Sequence, residues 1–461
     1  MTTIRQRDSV SGVLPPGPRW SRRTQGHQLY TRPHVVLRAC ARRFGDVFTL
    51  RPPRTPAPVI VVSQPRHVRA MIEADENVLD RSTVYQAFFS FRHSMLMCIT
   101  GRRRQYLRSI LGALLDVAAV EIGREDMRQV IDKLIDDAAG TGCCEMGRLA
   151  ESIARRITLA LFFGPELAQP LANELEGAQH SFAPGAGQPL LSTPLSQFVL
   201  LPRTAWRAQA TLRGFGRAAA EWMVAPPTTP LARRYQQLVS RRSNEHQLDT
   251  PPTLGEVAGM LMLTWGASTS TLENILFHTV REDAARRRLE QELSGRTASE
   301  QAGEAAGEFL MAFGKEVRRM SPSTIGFMRI VRSPFCIDGW ELLPETRLMA
   351  CSYLAHRNAA VFENPTAFQP ERFLGRTYAP HDYFPFGTGS FQCLGQRYLA
   401  ALGAVVVGSF VGRYDVLGVT GQHNRVAHTV VITRRARPIR ARLRRSQLAD
   451  RSPLVLEAAG A

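Results

Sequence analysis

The sequence predicts a mainly α protein of about a dozen helices with small β-sheets. Apolar residues recur at helical spacing over many long segments, whereas β-type runs are few and short. A hydrophobic content of 44% against 21% charged residues supplies a sizeable core. Length alone would divide 461 residues into about three domains, yet no linker separates them. One domain over 15–445 is therefore expected. A disordered tail at 1–14 precedes it and a C-terminal tail at 446–461 follows.

The elements follow in order. Pro15-Pro16-Gly17-Pro18 makes a stiff leading turn. PHVVLRACARRF, 33–44, sets Val36, Cys40 and Phe44 on one helical face, and Gly45 ends the run. VFTLR (47–51) and PVIVV (58–62) read as strands. Helices are expected at 64–74, 102–116, 121–140, 145–163, 167–180, 204–224, 254–280, 282–293 and 304–320. Strands return at 327–333, 346–350, 429–433 and 438–443. FAPGAGQPLLSTPLSQFVL, 182–200, reads equally as a mobile lid over an apolar pocket or as a surface loop packed by its own leucines.

The net charge of +18 permits nucleic acid, an anionic surface or an acidic protein as partner. Lysine occurs only at 133 and 315, so the charge is almost all arginine. Neither a zinc-finger spacing nor an RNA-binding aromatic motif is present, and no nucleic acid is expected. Seven arginines in 434–445 are read as including the outward side of a terminal strand. The cysteines, at 40, 98, 143, 144, 336, 351 and 393, are odd in number and form no CxxC pair. That argues against a disulfide framework or zinc site and for the cytoplasm. Met1–Val13 lacks the apolar run of a signal or anchor, and no stretch reaches about 18 uninterrupted apolar residues. A chain without a membrane partner is expected.

One cysteine stands apart. FPFGTGSFQCLG, 384–395, surrounds Cys393 with three glycines and three phenylalanines. Cys40, Cys98, Cys336 and Cys351 suit small core positions, and Cys143 and Cys144 suit structural ones. Gly387, Gly389 and Gly395 let the backbone approach something bulky or adopt positive φ. LGQRYLAALGAVVVGSF then begins a helix one residue after the sulfur, and its positive end favours a thiolate. Phe386 and Phe391 could keep that sulfur dry. Such a thiolate is a soft, electron-rich axial ligand for haem iron.

The segment resembles the haem-binding signature of the cytochrome P-450 superfamily, Phe-x-x-Gly-x-x-x-Cys-x-Gly, mapped on Phe386, Gly389, Cys393 and Gly395. Further pieces arrive in the family's order over roughly 15–445. KEVRRM (315–320) resembles the Glu-x-x-Arg pair, as Glu316 and Arg319, and FQPERF (368–373) resembles the turn that brings Arg372 to them. The resemblance implies a buried ion triad that locks the haem-side core. It also implies the cytochrome P-450 fold and a haem b cofactor, iron protoporphyrin IX, with Cys393 as the metal ligand. GRRRQYLRS (101–109) resembles the helix that reaches a haem propionate, which nominates Arg104 and Arg108, and Arg329 in GFMRIV is a third candidate. Arg102 and Arg103 read as a solvated basic patch. Phe391 stands where the family often has a propionate-binding His or Arg.

The central helix departs from the pattern. LMLTWGASTSTLEN, 261–274, lines up with the family's Ala/Gly-Gly-x-Asp/Glu-Thr segment, in which an acid and an alcohol relay protons to bound dioxygen. Setting Gly266 on the glycine puts Ser268 at the acid, Thr269 at the alcohol and Trp265 close to the iron face. Sliding by one or two residues brings Gly266 or Ala267 to that face and makes Ser270 or Thr271 the alcohol. No register supplies an acid. The favoured expectation is a soluble monooxygenase inserting one oxygen atom into a medium-sized organic molecule in specialised metabolism. It would be a monomer that receives electrons from a separate ferredoxin and ferredoxin reductase. Peroxide-driven or non-oxygenating haem-thiolate chemistry, and a non-catalytic haem sensor, are the alternatives. Substrate contacts are expected from 85–98, 182–200, the central helix and 322–327. His67, His93, His278, His356 and His428 show no ligand spacing and read as structural.

Overall fold

The proline turn lies along the first strand. Thr49 donates from its amide to the Pro16 carbonyl at 2.9 Å and from its hydroxyl to the Pro15 carbonyl at 2.6 Å. A Cβ at position 17 would meet the Thr49 carbonyl oxygen at 2.1 Å, so only glycine fits there. The computed structural model describes residues 14–53, 57–74, 77–80, 101–140, 142–164, 228–245, 250–293, 307–389, 392–421, 426–428, 433–435 and 438–446, with Leu96, Ile99, Gly216, Ala220 and Trp222 between them.

Twelve α-helices occur among the described residues. They are α1 (Arg22–Thr31), α2 (Pro33–Phe44), α3 (Pro65–Glu73), α4 (Gly101–Glu121), α5 (Glu125–Ala139), α6 (Met146–Phe163), α7 (Pro230–Glu245), α8 (Leu254–Arg281), α9 (Asp283–Leu293), α10 (Glu308–Met320), α11 (Ser352–Ala355) and α12 (Gln396–Arg413). Strands β1 (Val47–Leu50), β2 (Val59–Val62), β3 (Leu79–Asp80), β5 (Phe327–Val331) and β8 (Arg347–Ala350) form one sheet in the order β1-β2-β8-β5-β3. Within it β2 and β8 run parallel, and the other pairs are antiparallel. Smaller sheets join β4 (Cys144–Glu145), β12 (Arg440–Arg445) and β9 (Tyr414–Thr420), pair β6 (Phe335–Ile337) with β7 (Trp340–Leu342), and pair β10 (Val426–His428) with β11 (Thr433–Arg435).

The largest core unites α4, α5, α6, α8, α10 and α12. Helix α8 runs through its middle, packed on α6 along one side. A glycine admits α12 to another side, because a Cβ at Gly403 would meet Ile275 Cδ1 at 2.6 Å. Two further cores cover the two faces of the five-stranded sheet.

The expected helices at 33–44, 64–74, 102–116, 121–140, 145–163, 254–280, 282–293 and 304–320 are all present, with ends shifted by up to five residues. Helix α1 was not foreseen, and the reason is physical. Its apolar side chains are confined to Leu29 and Tyr30 at one end and it fully buries only Gln25, so it has no apolar stripe to read. Gln25 instead donates to the Trp20 carbonyl and accepts from the Arg51 amide. Helix α7 and the strands β6, β7 and β9 were likewise missed. The helix expected at 167–180, nearly all of that at 204–224, the segment 182–200, and the tails at 1–13 and 447–461 lie outside the described residues. So do most of 85–98, and Phe391.

Candidate functional site

Two left-handed glycines turn the loop that carries Cys393. Gly387 has φ 72° and Gly389 has φ 66°, a region that side chains disfavour. The Gly387 amide donates to the Phe384 carbonyl (3.1 Å), and the Gln392 amide donates to that of Gly389 (3.0 Å). The Cys393 amide then donates to the Phe386 carbonyl at 2.9 Å, which doubles the loop back on itself. Gly395 is the N-cap of α12, so the helix begins three residues after the sulfur rather than one. A Cβ on Gly395 would lie 3.9 Å from Cys393 Sγ and 3.7 Å from Leu115 Cδ1. Cys393 is half-buried, whereas Cys40, Cys144 and Cys351 are buried thiols. Desolvation pushes those three up to about 11, 12 and 12, which keeps them protonated. Cys336, expected in the core, is exposed on the β6–β7 hairpin, as is Cys143 beside β4.

Helix α4 braces this loop. Arg108 donates from Nη2 to the Gln392 carbonyl at 2.9 Å. Gly112, one turn on, faces Leu394, and Leu115 faces Gly395, so the 108, 112, 115 spacing forms one face. Arg104 is half-buried one turn before Arg108. Arg329 is buried on β5, donates to the Met328 carbonyl at 3.1 Å and stacks over Phe327. Phe386 packs against the main core with the Arg318 guanidinium over its ring.

Arg103 corrects the sequence reading. It is not a solvated charge. It donates from Nε to Glu256 at 2.9 Å and from Nη2 to the Pro251 carbonyl at 3.0 Å, and it also reaches the Thr250 carbonyl. Glu256 in turn closes a capping box with Thr253 at the start of α8. Arg102 is exposed, as expected.

Glu316, Arg319 and Arg372 come together. Arg319 meets Glu316 through two parallel bonds of 2.6 and 2.7 Å, and both side chains are wholly buried. Its remaining donors reach the carbonyls of His356 and Pro365 (2.7 Å each) and Ala367 (2.9 Å). Arg372 Nε stands 3.4 Å from Glu316, whose Oε1 also accepts from the Gln369 amide at 2.8 Å. The buried charges are thus paired and their donors used.

Helix α8 has distinct sides. The half-buried residues Leu263, Gly266 and Ala267 form one stripe, which Ser270 continues. A Cβ at Gly266 would meet nothing within 4 Å, so this stripe faces open space. Ser268 lies on the opposite side, donates to the Thr264 carbonyl at 2.7 Å and stands beside Tyr398 of α12 and Thr158 of α6. Thr269 donates to the Trp265 carbonyl at 3.0 Å, and Trp265 is buried away from the open stripe. Trp265 and Ser268 thus lie off the stripe formed by Leu263, Gly266, Ala267 and Ser270. Thr271 instead meets Ser323 at 3.4 Å.

The chain matches the Cytochrome P450 family over residues 15–417. The chain belongs to the cytochrome P450 family. The relatives agree. A putative cytochrome P450 135A1 of Mycobacterium tuberculosis is 26% identical over 87% of this chain and 89% of its own. The human mitochondrial sterol 26-hydroxylase is 26% identical over 40% of this chain and 38% of its own. Among solved structures, a retinoic acid bound cyanobacterial CYP120A1 superposes with a TM-score of 0.78 at 17% identity, covering 95% of this chain and all of that one.

As a cytochrome P450 the protein is an oxidoreductase of the monooxygenase class that uses haem iron, a small-molecule substrate and redox partners. The residues present fit that group. Cys393 offers a half-buried sulfur at a helix N-terminus, and Gly266 leaves room for a flat ligand on the open stripe. No other group of His, Cys, Asp or Glu among the described residues could hold a metal. No described helix is long and apolar enough to cross a membrane.

Two buried histidines, His356 and His278, serve as structural hydrogen-bonding groups. His356 is buried and accepts from the Phe384 amide at 3.0 Å, which ties it to the Cys393 loop. His278 of α8 lies between Ser321 (2.9 Å) and Glu282 (3.3 Å). Ser321 also accepts from Arg435 at 3.0 Å, and Arg435 reaches Asn274 at 2.9 Å. Arg435 is thus buried over the Phe277 ring, not outward on a terminal strand, and desolvation lowers its pKa to about 10. Arg440, Arg442, Arg444 and Arg445 of β12 do face outward. Nothing in the sequence marked Arg103 or Arg435, since each meets partners more than a hundred residues away.

Proposed function

We propose that this cytochrome P450 is a cytoplasmic, monomeric haem b monooxygenase of specialised metabolism. It inserts one oxygen atom from dioxygen into a medium-sized organic substrate, with electrons from a separate ferredoxin and ferredoxin reductase. The observation that carries the reading is Cys393, held half-buried by two left-handed glycines at the start of α12 and braced by Arg108. When bound, the haem supplies the reductive activation of dioxygen and the transfer of an oxygen atom. The protein's part is binding, orientation and proton control. Cys393 would hold the haem iron through Sγ, stabilised as thiolate by the positive end of α12. Arg104, Arg108 and Arg329 would bind the haem propionates, for which a guanidinium fork is well suited. Phe386 excludes water from the sulfur, while Gly389 and Gly395 admit the macrocycle. The buried triad of Glu316, Arg319 and Arg372 holds the loop beneath it. Ser270, next along the open stripe, is the hydroxyl that holds a water near the reacting oxygen. Thr269 and Ser268, the hydroxyls nominated from the sequence, lie beside it and donate to the Trp265 and Thr264 carbonyls, which leaves each able to accept from a relay water.

A second reading is favoured by one feature. The open stripe of α8 offers a hydroxyl and no carboxylate, so a route in which peroxide brings its own protons suits this helix. Turnover with peroxide but none with ferredoxin, reductase and reduced nicotinamide would select it.

The carbon monoxide difference spectrum of dithionite-reduced protein tests the main reading. Wild type is expected to give the red-shifted Soret band of a thiolate ligand, and Cys393→Ala is expected to lose it. An unchanged band in the variant would overturn the assignment of Cys393.

A further inference from the structure

Between Leu14 and Gly45 the chain holds seven arginines and no acidic residue. Helices α1 and α2 carry most of this run, and they meet at Arg32, which ends one and begins the other. Thr49 of β1 bonds to Pro15 and Pro16, and the Arg51 amide bonds to Gln25 of α1. Because β1 directly follows α2, these bonds close the two helices into one hairpin, with Trp20 and Arg43 at its open end.

One side of α2 is fixed, since Val36, Leu37 and Cys40 pack in a core against the sheet. The other side is a stripe of Val35, Arg38, Ala39 and Arg42, spaced i, i+3, i+4 and i+7 and exposed throughout. All seven arginines of the hairpin are exposed. Arg22 reaches the Pro52 carbonyl at 3.4 Å, and the other six pair with no carboxylate among the described residues. Asp46, the first acid after the run, is taken by Arg66 and Gln64. Exposed arginines on β12 differ, because Arg440 lies 3.7 Å from Glu145 and Arg444 lies 3.0 Å from Asp415. The hairpin also exposes two large apolar side chains among its charges, Trp20 at 45% and Val35 at 54%.

A face with many cations and no counter-charge calls for an anionic partner. A nucleic acid would use the arginines but has no place for Val35. A bilayer surface takes both kinds of group, with phosphates on the guanidiniums and apolar side chains at the headgroup boundary, where tryptophan is enriched. We propose that the α1–α2 hairpin docks on an anionic phospholipid surface, its arginines on the lipid phosphates and Trp20 and Val35 set into the headgroup layer. Each arginine near such a surface favours partitioning by about fivefold, so a handful gives firm but reversible attachment. This docking needs no spanning helix, and it departs from the expectation of a chain without a membrane partner.

The test is flotation of the purified holoprotein with vesicles of phosphatidylcholine alone and of equal parts phosphatidylcholine and phosphatidylglycerol. The protein is expected to float with the anionic vesicles only and to be released by salt. Arg38→Gln combined with Arg42→Gln is expected to weaken partitioning about thirtyfold. Arg442→Gln combined with Arg444→Gln removes the same charge from β12 and is expected to leave partitioning nearly unchanged. All four side chains are exposed, and circular dichroism reports that each variant is folded. Brominated phosphatidylcholine in the anionic vesicles is expected to quench tryptophan emission, and Trp20→Phe is expected to remove that quenching while flotation persists. Flotation with neither vesicle, equal flotation with both, equal losses in the two double variants, or quenching that survives Trp20→Phe overturns the proposal. Retention on a DNA duplex without flotation would give the face to nucleic acid and overturns it too. None of these readings depends on the haem, so failure here is distinguishable from failure of the haem-thiolate reading.

Discussion

Glu316→Ala is expected to destabilise the protein by about 3–5 kcal/mol, the cost of leaving a buried partner charge unpaired. Arg319 is wholly buried, so its guanidinium cannot turn to water when the carboxylate is gone. Three of its bonds to carbonyls would remain, and they fix it in place without neutralising it. The Gln369 amide and Arg372 would lose the same acceptor. Because Pro365 and Ala367 lie on the path to the Cys393 loop, haem retention should fall with stability. Urea unfolding followed by circular dichroism, with haem absorbance as a second probe, measures both. Arg372→Ala should cost less, because its contact with Glu316 is long and its other donors reach the Glu363 carbonyl and the Gln369 side chain. A Glu316→Ala midpoint equal to wild type would show that the triad does not hold this region.

Acid is expected to produce the second large effect. His278 and His356 are both buried, and desolvation lowers the pKa of each, that of His278 to about 4. A group whose folded pKa is depressed binds more protons when unfolded. Stability is therefore full above the ordinary histidine pKa of about 6.5 and falls as the pH drops from there toward the folded value. Each such histidine contributes a slope of about 1.4 kcal/mol per pH unit. His278 alone then accounts for roughly 3 kcal/mol between pH 6.5 and 4. His356 has a further consequence, since protonating Nε2 would remove the acceptor for the Phe384 amide. Urea midpoints measured from pH 7 to pH 5 should fall steadily, and His278→Gln should flatten the slope. Midpoints that stay level over that range would contradict the account.

Much of the site could be read from the chain because its signals are local. Glu316 and Arg319 are a turn apart on one helix, and Gly387, Gly389 and Cys393 sit within one loop, so each set is a short contiguous motif in which the family resemblance could be seen. The central helix was harder. Its hydroxyls are contiguous, and only the neighbours α6 and α12 decide which side Ser268 takes and which side is left to Ser270. Arg103 looked like one of three equivalent arginines because its partners, Thr250 and Glu256, lie on another helix and the loop before it. The Thr253-x-x-Glu256 spacing is a legible helix start, but nothing in it announces an arginine from α4. Arg435 shares that difficulty. It lies in a short strand, and burial of a strand arginine depends on what covers the sheet. Helix α1 was invisible because a polar helix carries no stripe.

The two arginines of α4 turn that helix into a spacer of fixed length. Arg103 fastens its beginning to the start of α8, and Arg108 fastens its second turn to the loop of Cys393. Four residues lie between them, five helical steps and a rise of about 7.5 Å along a rod that hardly stretches. The start of α8 and the loop of Cys393 are thus gauged against one ruler. A residue inserted between the fasteners would swing Arg108 about 100° around the rod and release the Cys393 loop, even with every side chain still present. In this protein the count of residues between 103 and 108 is as much a part of the site as their identity.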